Sequence, residues 1–218
     1  MVVNYVSLKT LLGKIQVELR KREIVHEQVQ RNMRRATRLS KQAILFSHQE
    51  RFKDAKKLLK EADGLFTKLR SVAKTYPDMI YSGLVDAAFQ EYAEAQTLLG
   101  LVEQNRFVSP DDIGVDSVAY VLGLADVIGE LRRRALDSLR KEDVKTAEDC
   151  LRLMEEIYVE LMSMDEAYML VPGLRRKSDV ARRIIETTRG DITIEARRSS
   201  LEKCMENLEK TVKKGMKR

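Results

Sequence analysis

The stretch SVAYVLGLADVIGEL, residues Ser117–Leu131, decides the fold that the sequence predicts. Drawn as a helix at about 100° per residue, it is apolar almost all the way around, which is typical of a helix buried among other helices. Its only charged residues are Asp126 and Glu130, four positions apart and therefore on one face. A helix of this kind needs helical neighbours on several sides, so it predicts an all-α bundle.

The rest of the chain also has a helical pattern. Only three prolines and ten glycines are available to interrupt helices, and no convincing strand pattern is present. The predicted helices span about 7–49, 51–74, 83–103, 116–141, 143–171 and 172–214. Short loops between them favour antiparallel packing of consecutive helices. The sequence therefore predicts a single all-α domain over residues 1–218, an antiparallel bundle of about six to seven helices with long first and last helices.

The composition excludes several classes of protein. No stretch approaches the roughly 18 consecutive apolar residues of a membrane helix, and the N-terminus lacks the apolar core of a signal peptide. Cys150 and Cys204 stand alone, without a CxxC or CxxH motif, which argues against a zinc site and against a disulfide framework. These features predict a cytoplasmic protein with no membrane partner.

Charge is distributed unevenly along the chain. Residues 1–60 carry 15 Lys and Arg against 5 Asp and Glu, residues 61–170 carry 11 against 22, and residues 171–218 carry 14 against 7. Basic ends around an acidic middle predict a polyanionic partner, with cations held in the middle. Solvated helix faces would give the same totals and remain the alternative.

A second pair of carboxylates lies in FQEYAEAQTLLG, residues 89–100. Glu91 falls between Leu84 and Leu98 on the apolar face of this helix. Glu94 lies at the edge of that face, one helical turn later, so both side chains point towards the same volume. Carboxylates are therefore expected inside apolar faces of two consecutive helices.

Carboxylates in such positions need compensating positive charge. Burying an unpaired carboxylate costs several kcal/mol, and two acids on one face also repel each other. Neither core-facing segment contains a Lys or Arg. The two pairs therefore predict either a site for Mg²⁺ or Mn²⁺, which accept oxygen ligands, or ion pairs with arginines of the terminal helices.

Two arginine-rich stripes provide candidate contacts to a nucleic acid. One occupies an arc of about 120° on the first helix, and the other repeats every seven or eight residues on the last helix. The stripes consist of Arg20, Arg31, Arg34, Arg35, Arg38 and Lys41, and of Arg175, Arg182, Arg189 and Arg197. The chain has no Trp and few aromatic residues, which favours contact with the phosphate backbone over stacking on bases. Solvated or coiled-coil faces remain the alternative for each stripe.

Common catalytic motifs are missing from the sequence. It contains no GxxxxGK[ST], GxGxxG or GxSxG, which argues against the usual nucleotide-binding loops and serine hydrolases. His26 and His48 are too far apart on the first helix to form an acid–base pair on one face. Any hydrolytic chemistry is therefore expected to depend on the carboxylates.

Three segments carry a resemblance to a known family. FQEYAEA (89–95) and LGLADVIGELRR (122–133) together resemble the translin family, in particular its catalytic branch, that of translin-associated factor X. RRKSDVARRIIETTRGDITIEARR (175–198) resembles the last helix of archaeal members. The resemblance covers nearly the whole chain. It implies an all-α subunit of a hollow octamer that acts as a metal-dependent endoribonuclease.

The resemblance also implies roles for individual residues. The catalytic acids of the family, which bind Mg²⁺ or Mn²⁺, fall on Glu91, Glu94, Asp126 and Glu130. Arginines that line the central cavity correspond best to the stripe on the first helix. The chain lacks the long basic N-terminal tail of eukaryotic members, so a homo-oligomer without a separate translin partner is expected.

The predicted function is metal-dependent endonucleolytic cleavage of single-stranded RNA, with single-stranded DNA as a further ligand. One alternative is an all-α nucleoside-triphosphate pyrophosphatase, which also holds Mg²⁺ with ExxE pairs on bundled helices. The other is a non-catalytic, translin-like protein that binds RNA or single-stranded DNA and whose acids only pair with arginines.

Overall fold

The structure, a computed structural model, describes residues 7–164 and 167–215. Within these ranges the chain forms α-helices and one short 3₁₀ helix, without a strand, so the predicted all-α class is confirmed. The helices are α1 (Leu8–His48), α2 (Phe52–Ala73), the 3₁₀ helix (Pro77–Ile80), α3 (Gly83–Gln104), α4 (Pro110–Ile113), α5 (Ser117–Leu139), α6 (Val144–Met162), α7 (Ala167–Leu170) and α8 (Leu174–Gly215). None of the helices in the described ranges has an apolar stretch long enough to cross a lipid bilayer.

Capping residues mark two of the helix starts that the sequence predicts. The Ser7 hydroxyl accepts a hydrogen bond from the backbone N–H of Thr10 at 3.3 Å and begins α1. The Asp116 carboxylate accepts one from the N–H of Ala119 at 2.9 Å and begins α5. These side chains satisfy N–H groups that lack a partner within the helix, which is why such residues mark helix starts.

The prediction of one helix over 143–171 was wrong. α6 ends at Met162, where the Ser163 hydroxyl donates a hydrogen bond to the backbone carbonyl of Glu160 at 2.7 Å. A serine that bonds locally to the backbone in this way competes with continuation of the helix. The chain then forms the short α7 before α8 begins at Leu174, directly after Gly173, which adopts a φ of 92°.

The described part of residues 1–92 forms one compact unit. α1 and α2 are joined by the short turn 49–51 and pack side by side. The ring of Phe66, fully buried on α2, stacks on that of Phe89 of α3 with centroids 4.4 Å apart. This contact anchors the part of α3 that carries Glu91.

The described part of residues 93–218 forms a second compact unit, in which α5, α6 and α8 pack against one another. α5 is largely buried, as its apolar sequence predicts. Its buried residues are Ala119, Val121, Gly123, Ala125, Val127, Ile128, Leu131, Ala135 and Ser138. Arg132 connects α5 to α8 by donating to the Thr188 hydroxyl at 2.7 Å and to the Asp191 carboxylate at 3.2 Å. The prediction of a single domain over the whole chain stays a prediction.

Replacing Asp116 by alanine should lower the free energy of unfolding by about 1 kcal/mol, because the N–H of Ala119 loses its acceptor at the start of α5. Urea unfolding at a fixed protein concentration measures this loss. Asp137 lies on the same helix but forms only an exposed ion pair with Arg140 at 3.6 Å. Its alanine variant should change the free energy of unfolding by less than about 0.5 kcal/mol. Equal losses in the two variants would contradict the capping role.

Candidate functional site

Glu91 lies on α3 and forms an ion pair with a lysine of α1. Its carboxylate Oε1 is 3.3 Å from Nζ of Lys41, and 25% of its side chain is exposed. The ion-pair alternative expected a partner from a terminal helix, and Lys41 is such a partner, although it is a lysine. Lys41 belongs to the stripe predicted to contact RNA. In this structure it pairs instead with Glu91 of the protein itself.

Glu94 follows one turn later on α3 and is 8% exposed. Among the residues that the structure describes, it is the one charged residue that is buried. The helical periodicity placed Glu91 inside the apolar face and Glu94 at its edge, and the structure reverses this order. The reason is that Ala93, Ala95 and Leu101 are also buried, so α3 is covered on more than its most apolar side.

Asp126 lies on α5 and forms an ion pair with Lys177 in the first turn of α8. The two side chains are 30% and 27% exposed, respectively. They line a cavity of about 400 Å³ between the two helices, to which Gly129 and Arg176 also contribute. The sequence singled out Asp126, but neither of the two basic residues that face the same cavity.

Glu130 lies one turn after Asp126 on α5, as its spacing predicts. Its Oε2 is 3.9 Å from Nη1 of Arg133 on the same helix, and its side chain is 25% exposed. This contact is weaker than the ion pair of Asp126 with Lys177, because 3.9 Å exceeds the length of a hydrogen bond. Glu130 and Asp126 are therefore both partly buried, and each has a cation of the protein beside it.

The four acids have the chemistry of ligands for a hard divalent cation, since all are carboxylates and none is fully exposed. Thr97 lies one turn after Glu94 on α3 and is fully buried. Its hydroxyl oxygen makes no hydrogen bond in the described structure. Within residues 7–164 and 167–215, no three His, Cys, Asp or Glu side chains are arranged to hold a metal ion. The donor set thus fits Mg²⁺ or Mn²⁺ in kind, while Lys41, Lys177 and Arg133 supply the positive charge in this structure.

The residues of both arginine stripes are exposed, as contact with phosphates requires. Several of them have acidic partners on the protein: Arg31 pairs with Glu27, Arg35 with Glu61, and Arg189 with Glu155. Such exposed pairs contribute little and exchange readily for other anions. The assignment of the stripes to RNA binding stays a prediction.

Comparison with known families decides where the chain belongs. The profile described as "Translin family" matches residues 24–188, which include all four predicted acids. The chain belongs to the translin family. This membership agrees with the resemblance seen in the sequence, whereas the family match does not distinguish the catalytic branch from the others.

One curated protein and two solved structures are similar to this chain over most of their length. The protein MJ0175 of Methanocaldococcus jannaschii is 35% identical over 176 residues, which is 80% of this chain and 78% of that protein. The structure of AfC3PO in complex with duplex RNA has a TM-score of 0.76 and 34% identity, covering 86% of this chain and 97% of that one. Apo-NeC3PO has a TM-score of 0.77 and 27% identity, covering 89% and 98%.

Proposed function

We propose that this translin-family protein binds RNA as a subunit of a homo-oligomer and cleaves it endonucleolytically with Mg²⁺ or Mn²⁺. The observation that carries the proposal is the placement of Glu91, Glu94, Asp126 and Glu130 in partly or fully buried positions. Removing these carboxylates from water costs stability that ion pairing returns only in part. A catalytic role accounts for that cost, as it does for strained or destabilising groups at active sites in general.

RNA binding is supported by the relatives and by the distribution of charge. AfC3PO, 34% identical to this chain, has been solved in complex with duplex RNA. The exposed arginines of α1 and α8 can hold phosphates along a strand without contact to the bases. We assign single-stranded RNA as the substrate that is cleaved and single-stranded DNA as a further ligand.

Self-association is supported by apolar residues that one chain leaves uncovered. Leu8, Leu12, Ile15 and Leu19 are exposed along α1 with alternating spacings of four and three, the spacing of helices that pair lengthwise. Leu201, Met205 and Leu208 are exposed near the end of α8 with the same spacing. Apolar stripes of this length usually mark an interface. The octamer itself follows from the family resemblance.

The proposed chemistry divides the work between the acids and the basic residues. A divalent ion held by carboxylates of this set would lower the pKa of a bound water and neutralise charge on the phosphate. Glu130 is assigned the proton of the attacking water, since its side chain is partly exposed and reaches solvent. The arginines hold the strand and stabilise the charge that develops on the phosphate oxygens.

RNA binding without cleavage is a second candidate function. Glu91 and Asp126 already pair with Lys41 and Lys177, so the acids have cationic partners without any metal. A translin-like protein that binds RNA without cleaving it would need no more than this. The two functions differ in whether bound RNA is cut when a divalent ion is added.

The proposal predicts cleavage of end-labelled single-stranded RNA by the purified protein with Mn²⁺ or Mg²⁺, and none with EDTA. A metal-activated hydroxide should raise the rate at least about 100-fold over the chelated control. Duplex RNA, single-stranded DNA and a panel of nucleoside triphosphates serve as parallel substrates. RNA binding without cleavage under any metal would identify a binding protein, and hydrolysis of nucleotides alone would identify a pyrophosphatase.

A further inference from the structure

Lys177 lies beside Asp126, the carboxylate that the proposed function assigns to a divalent ion. Its ammonium contacts Oδ1 of Asp126 directly, and both side chains are more than two-thirds buried. An ammonium and a divalent ion beside one carboxylate repel each other at short range, so each weakens the binding of the other. Binding of a metal ion at Asp126 is therefore opposed by Lys177 for as long as its ammonium stays beside the carboxylate.

The cavity between α5 and α8 gives Lys177 a place to move to. It measures about 400 Å³ and is bordered by Lys177, Arg176 and the backbone at Gly129 and Gly173. A lysine side chain has four flexible methylene groups, so its ammonium can swing away from Asp126 while α8 stays in place. In the cavity it would stand beside the guanidinium of Arg176, and two neighbouring cations favour a phosphate.

We propose that Lys177 competes with the divalent metal ion for Asp126. Once the metal has bound, the ammonium of Lys177 contacts a phosphate of the substrate. The inference rests on the proposed function, because it assigns Asp126 to the metal. It makes Lys177 a residue with two successive partners. The lysine stabilises the carboxylate in the metal-free protein and neutralises RNA in the loaded one.

The test is a Mn²⁺ titration of the full-length protein, read by the electron paramagnetic resonance signal of unbound Mn²⁺. The Lys177→Met variant keeps the length of the side chain and removes its charge, so Mn²⁺ should bind about five- to tenfold more tightly than in the wild type. The Lys177→Arg variant keeps the charge and should stay near wild-type affinity. Lys210→Met is the matched control, because Lys210 lies on the same helix in an exposed pair with Glu206 at 3.7 Å; its Mn²⁺ affinity should not change.

A second measurement separates this role from a purely structural ion pair. At saturating Mn²⁺, the KM for single-stranded RNA should rise about five- to tenfold in Lys177→Met and stay constant in Lys210→Met. The fold does not depend on this pair alone, since Arg132 also connects α5 to α8. Should Lys177→Met fail to fold, Lys177→Gln retains a hydrogen-bond donor towards Asp126 and takes its place, with the same direction of change expected.

Two results would overturn the inference in distinguishable ways. If wild type binds Mn²⁺ and cleaves RNA while Lys177→Met has the wild-type Mn²⁺ affinity or a weaker one, Lys177 is a structural partner and the proposed function stands. If neither wild type nor the variant binds Mn²⁺, the inference and the metal-dependent function fail together.

Discussion

Replacing Asp126 by asparagine should reduce cleavage of single-stranded RNA by about 100- to 1000-fold. Asparagine preserves the shape of the side chain, but its neutral amide binds a divalent ion weakly and cannot form an ion pair with Lys177. The affinity for RNA should stay within about threefold, because the phosphates are held by arginines elsewhere on α1 and α8. Initial cleavage rates at saturating Mn²⁺ and filter binding in EDTA measure the two quantities separately.

The matched control for this variant is Asp137→Asn. Asp137 lies on α5 like Asp126 and forms an ion pair with Arg140 at 3.6 Å, but 46% of its side chain is exposed. Its cleavage rate should equal that of the wild type. Wild-type cleavage by Asp126→Asn would remove Asp126 from the site. A parallel loss of RNA binding would show that its carboxylate maintains the fold instead of the chemistry.

Replacing Phe66 by alanine should lower the free energy of unfolding by about 3–5 kcal/mol. Phe66 is fully buried, and its ring stacks on Phe89 at 4.4 Å and lies tilted against Tyr92 at 5.0 Å. Alanine leaves a cavity and removes both aromatic contacts, each of which adds about 0.5–1.5 kcal/mol beyond the burial of area. Urea unfolding followed by circular dichroism, at one protein concentration throughout, measures the loss.

Phe107→Ala tests whether the loss depends on burial. Phe107 is 38% exposed, so its removal should cost less than about 1.5 kcal/mol. A loss in Phe66→Ala no greater than in Phe107→Ala would mean that the contact between α2 and α3 contributes little to stability. Because that contact supports the part of α3 with Glu91, RNA cleavage by Phe66→Ala should also become more sensitive to temperature.

The sequence predicted the elements whose signals are local. The all-round apolar pattern of α5 and the caps at Ser7 and Asp116 identify their helices correctly, since periodicity and capping depend on neighbours along the chain. The end of α6 was missed, because Ser163 lies within a periodic, Met-rich stretch that gives no sign of a break. Serine also occurs within helices, so the composition does not show that Ser163 ends this one.

The partly buried positions of Asp126 and Glu130 were also predictable, whereas their ion-pair partners were not. A carboxylate in an apolar face is visible in the spacing, which identified Asp126 and Glu130. The partner of Asp126 is Lys177, 51 residues later, and nothing in the spacing of α8 distinguishes Lys177 from its many basic neighbours. The partner of Glu91 is Lys41, which was assigned from the sequence to the exposed stripe on α1. A helical wheel shows only the directions of side chains on one helix. It therefore could not show that Glu91 of α3 lies beside Lys41.

The packing of α8 also bears on the order in which the site is built during folding. α1 with α2, and α5 with α6, are neighbours along the chain joined by short turns, so each pair closes a small loop and can form early at little entropic cost. α8 reaches α5 only after the chain has passed through α6 and α7, so its docking closes a longer loop than the pairing of α5 with α6. Lys177 therefore meets Asp126 late. Until then Asp126 lacks Lys177 as its partner, and a site that is completed last would not act before the subunit has folded.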